Sequence, residues 1–68
     1  MDKDLLYYEM KKRKVSVDDL CAKIGISKTA FYRKCAGKTE FTVKEVKGIV
    51  KALDLQSPID IFFADKVS

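Results

Sequence analysis

The stretch SVDDLCAKIGISKTAFYRKC, residues 16–35, decides how the rest of the chain is read. Ser16 carries the hydroxyl that a helix N-cap needs. Asp19, three residues on, can return a bond to the Ser16 backbone. Leu20, Cys21 and Ile24 then share one side of a helix over residues 17–24. Gly25 adopts left-handed backbone angles without a Cβ clash, so it is the natural end of that helix. Ile26 points back to the core and Ser27 caps a second helix, residues 28–35. Ala30, Phe31 and Cys35 form its inward face, with the aliphatic stem of Lys34 covering the edge. Lys28, Thr29, Tyr32 and Arg33 fall on the opposite face.

Periodicity extends this pattern in both directions. Leu6 and Met10, with Leu5, give a first helix over about residues 3–13, closed by the basic run Lys11-Lys12-Arg13-Lys14 that suits a helix C-terminus. Gly37 ends the 28–35 helix and residues 38–41 form a loop. Thr42-Val43-Lys44-Glu45 is a capping box for a fourth helix, residues 43–53, with Val46, Ile49, Val50 and Leu53 inward. Ser57-Pro58-Ile59-Asp60 places Ser at N-cap, Pro at N1 and an acid at N3 of a fifth, short helix. Ile59, Phe62 and Phe63 are expected to close the core from below, with Phe41 also inside. Nothing reads as a strand. The expectation is an all-α domain of five short helices, one domain over residues 1–68.

Sixty-eight residues leave a thin core and little chain for an enzyme cleft. There is no histidine, no Gly-rich phosphate loop and no convergent carboxylate pair, so no catalytic reading stands. Cys21 and Cys35 alone do not make a zinc set and read as small buried side chains. No cofactor, metal, small-molecule ligand or membrane contact is expected. The opening Met1-Asp2-Lys3-Asp4 lacks the form of a signal peptide, which suggests a cytoplasmic protein with reduced thiols.

The charge of +4 is unevenly spread. Residues 11–51 hold twelve Lys/Arg against Asp18, Asp19, Glu40 and Glu45, a balance of +8 between mildly acidic ends. That distribution suits a polyanion partner. Two helices of this length joined by Gly25-Ile26-Ser27 have helix-turn-helix spacing. A helix fits the major groove and its first residues reach base edges. Lys28 and Arg33 suit guanine O6/N7, Thr29 a base edge or thymine methyl, and Tyr32 a phosphate or thymine.

The combined pattern resembles the lambda-repressor-like family of helix-turn-helix proteins, the Cro-type or XRE group. The resemblance covers residues 6–63. It rests on Val15-Ser16-Val17-Asp18-Asp19-Leu20-Cys21-Ala22-Lys23-Ile24-Gly25-Ile26-Ser27, on Phe31-Tyr32-Arg33, on Gly37-Lys38 and on Ala52-Leu53-Asp54-Leu55. Phe31-Tyr32-Arg33-Lys34 and Phe62-Phe63-Ala64 are similar to small prophage regulators of Gram-positive bacteria. The resemblance implies base contacts from Lys28, Thr29 and Arg33, with Tyr32 beside them. It implies phosphate contacts near Ser16 and Val17, and at Gly37 and Lys38, with Lys44 an added cation. It also implies a transcriptional regulator, a repressor in the first instance, binding a palindromic operator in double-stranded DNA. The expected form is a homodimer joined through residues 59–68 or formed mainly on DNA. The competing reading is a protein-interaction adaptor or anti-repressor module built on the same fold.

Three positions depart from the family. Val17 stands where a Gln often bridges a phosphate and a recognition residue, leaving only its backbone N–H for DNA. Met10 and Cys35 stand where many members bury an Arg–Glu pair, and an apolar contact can replace such a pair without loss. Ala36 stands where a polar, phosphate-contacting residue is common.

Overall fold

The computed structural model describes residues 1–63; residues 64–68, the end of the segment expected to serve a dimer, lie outside them. Five helices follow one another: α1 (Lys3–Lys12), α2 (Val17–Ile24), α3 (Lys28–Cys35), α4 (Val43–Leu53) and α5 (Pro58–Phe62). The described residues contain no strand. Asp2, Ser16, Ser27 and Thr42 each accept a bond from the backbone N–H three residues on, at 3.0–3.1 Å, which satisfies donors that a helix start leaves open. Capping boxes close on α2 and α4, as the Ser16–Asp19 and Thr42–Glu45 spacings predict.

The helix ends share one device. Lys14, Gly25, Gly37 and Asp54, one after each of α1 to α4, all have positive φ, between 52° and 84°. Each turns the chain so that the next N–H folds back on the helix just finished. Val15 N donates to Met10 O at 2.9 Å, Ile26 N to Cys21 O at 3.1 Å, Lys38 N to Arg33 O at 3.0 Å and Leu55 N to Val50 O at 3.1 Å. Three of those four following residues, Val15, Ile26 and Leu55, drop an apolar side chain against the core.

The core is Leu6, Met10, Leu20, Cys21, Phe31, Cys35, Ile49, Leu53, Leu55 and Ile61, and no polar or charged residue is buried among the described residues. Phe31 lies at its centre, fully buried, with Tyr7, Tyr32 and Phe41 edge-on at ring separations of 6.3, 5.9 and 5.9 Å. Met10 and Cys35 are both in this apolar cluster, where the family often places an ion pair. α2 packs against both α3 and α4, and α5 returns to α1, where Asp2 N donates to Ile61 O at 2.7 Å. Gly48 permits the α2–α4 approach, since a Cβ there would stand 2.9 Å from Ile24 Cγ2.

The inward face of α5 differs from expectation. Ile61 is the buried residue, 2% exposed, whereas Ile59 is 56% and Phe63 42% exposed. Phe62 is half-buried, edge-on to Phe41 at 5.8 Å, and Phe41 itself packs on the core margin. A five-residue helix presents only one or two positions to its neighbour, and the bond from Asp2 to Ile61 O turns this one so that Ile61 faces α1. Ser57 precedes Pro58 as expected, but its side chain makes no capping bond.

Candidate nucleic-acid interface

α2 and α3 set up one exposed surface. With Phe31 and Cys35 buried, α3 turns Lys28, Thr29, Tyr32 and Arg33 outward, and all four are exposed. These are the four residues expected to meet bases. The Tyr32 ring stands edge-on to Phe31, and that contact locates the phenol relative to the core. Ser27 caps α3 through Ala30 N at 3.1 Å, so the first turn is ordered up to the point where Lys28 and Thr29 emerge.

The first turn of α2 flanks this face. Ser16 is exposed, and its Oγ accepts from Asp19 N at 3.1 Å while its own N–H donates to Asp19 Oδ2 at 3.4 Å. Its hydroxyl hydrogen is therefore the group left to offer a phosphate. Val17 packs its side chain against the core, which leaves its N–H, one of the outward donors of a helix start. Beyond α3, the Gly37 N–H donates to Lys34 O at 3.2 Å and the Lys38 N–H to Arg33 O. Both backbone donors are thus spent on closing the helix. Gly37 supplies the turn, with φ of 84°, and Lys38 supplies an exposed ammonium. Lys44, exposed in the first turn of α4, adds another.

Two ion pairs brace these elements, and sequence reasoning missed both. Lys34 Nζ lies 2.9 Å from Glu45 Oε1 and 3.3 Å from Glu40 O, so the side chain expected to cover an edge also ties α3 to the start of α4. The Thr42 backbone N–H and the Lys34 ammonium hold the Glu45 carboxyl below its ordinary pKa. Asp18 Oδ1 lies 3.2 Å from Lys28 Nζ and joins the first turns of α2 and α3. That hydrogen bond raises the Lys28 pKa, so the ammonium stays charged. Neither pair follows a periodicity, since the partners are ten and eleven positions apart and meet only once the turns are built.

Burial raises the thiol pKa of Cys21 and Cys35, which disfavours the thiolate that nucleophilic or metal chemistry needs. Burial, then the neighbouring Cys35 thiol, pushes Tyr7 up to about 12. No group of three His, Cys, Asp or Glu among the described residues could hold a metal ion. No helix among them is long and apolar enough to cross a membrane.

Two eight-residue helices that meet at a left-handed glycine, the second with an exposed cationic face, define a helix-turn-helix DNA-binding domain. The chain belongs to the Cro/C1-type HTH DNA-binding domain family, whose model matches residues 6–65. Its partner is accordingly double-stranded DNA. No curated protein and no solved structure gives a match.

Proposed function

We propose that this protein is a transcriptional regulator, a repressor of prophage type, that lays α3 in the major groove of its operator. The observation that carries this reading is the simultaneous exposure of Lys28, Thr29, Tyr32 and Arg33 on a helix whose other face is locked into the core. Lys28 and Arg33 donate to guanine edges, Thr29 meets a base edge or thymine methyl, and Tyr32 meets a thymine or phosphate. Lys38, Lys44, the Ser16 hydroxyl and the Val17 N–H hold phosphates, and Gly37 shapes the turn that presents Lys38. One recognition helix covers only a few base pairs. Two copies about one helical turn apart therefore read a palindromic operator, and this homodimer assembles on the DNA in the cytoplasm.

Selection of bound sequences from a random duplex pool, at two salt concentrations, tests the reading. The expected result is an enriched palindromic site whose affinity falls log-linearly with salt, because bound phosphates release counterions. A pool with no enrichment, together with salt-insensitive binding to a protein, would favour the adaptor or anti-repressor role instead.

A further inference from the structure

Asp18 is the second residue of α2 and takes no part in its capping box, which Ser16 and Asp19 complete between them. Its carboxylate instead reaches across the turn to Lys28, the first residue of α3, at 3.2 Å. The two side chains are 74% and 55% exposed. A pair so open to water adds little to folding. What it does change is the behaviour of an ammonium expected to touch a base.

We infer that Asp18 is a specificity-determining residue, one that restrains Lys28 for base reading and weakens its attraction to phosphate. A free lysine is a mobile point charge that any phosphate attracts. Paired with Asp18, its charge is offset and its long stem is confined to one side of the turn. Lys28 has three N–H donors, and Asp18 occupies one. Two remain, the number that guanine O6 and N7 accept. The carboxylate also sits in the first turn of α2, beside the Ser16 and Val17 groups proposed to hold a phosphate. It therefore opposes the DNA backbone there whatever the sequence. The first effect lowers affinity for arbitrary DNA more than affinity for a site with guanine under Lys28, and the second lowers both alike, so discrimination rises as total affinity falls.

This inference rests on α3 being the recognition helix. The test compares the parent, Asp18→Asn and Asp18→Glu on the selected operator and on a scrambled duplex, with base preference read at each operator position. Circular dichroism verifies that each variant is folded. Asp18→Asn is expected to bind the scrambled duplex about tenfold more tightly and to gain less on the operator. Preference at one base pair should flatten, and Asp18→Glu should restore both properties. In a Lys28→Ala background, Asp18→Asn should no longer alter base preference. An unchanged operator-to-scrambled ratio in Asp18→Asn, with a parent that selects its operator normally, overturns the role of Asp18 alone. A parent that selects no sequence overturns the proposed function and this inference with it.

Discussion

Gly48 sits in the interior of α4, where an Ala would ordinarily favour the helix by about 1 kcal/mol. Here the missing side chain is what lets α4 approach Ile24 of α2, and the nearest atom is a branch methyl carbon close to the backbone. Overpacking typically costs about 1–3 kcal/mol, so Gly48→Ala is expected to lose about 1 kcal/mol net by urea denaturation. A more stable variant would show that the interface has slack. The sequence hides this role, because a glycine within an amphipathic stripe looks the same whether it is tolerated or required. Gly25 was legible as a left-handed residue and Gly37 as a helix end, since each follows a complete apolar stripe. Lys14 and Asp54 adopt the same geometry with residue types that do not announce it.

At the scale of elements, the α3–α4 connection depends on Glu45, which serves both the Thr42 cap and the Lys34 ammonium. Its folded-state pKa is depressed, so its contribution to stability is present above the ordinary carboxylate range and is lost as pH falls through the lowered value. Glu45→Gln is expected to cost about 1–2 kcal/mol at neutral pH, where it removes charge-assisted bonds. It should also flatten the acid side of the stability profile; an acid limb identical to the parent's would contradict this account. Helices α2 to α4 were readable to within a residue because caps and stripes agreed along each of them, and α1 from its apolar stripe and closing basic run, without its Asp2 cap. α5 was readable as an element but not in orientation. Five residues with Ile59, Ile61, Phe62 and Phe63 in and beside them offer apolar groups on every side, and only the contact with α1 selects Ile61.

For the whole molecule, the core and the proposed DNA face are two sides of the same pair of helices. Phe31 and Cys35 are buried so that Lys28, Thr29, Tyr32 and Arg33 are not, and the outward set was legible from the same periodicity as the core. The bracing pairs Asp18–Lys28 and Lys34–Glu45 were not legible, since they depend on how the turns place separate helices. Whether α3 reads the bases is decided by the affinity of the parent and Arg33→Ala for the selected operator and for a scrambled duplex at fixed salt. Arg33→Ala is expected to lose about 1–3 kcal/mol on the operator, much less on the scrambled duplex, and to relax preference at one base pair. Equal losses on both duplexes, or none on either, would contradict the placement of α3 as the helix that reads the bases.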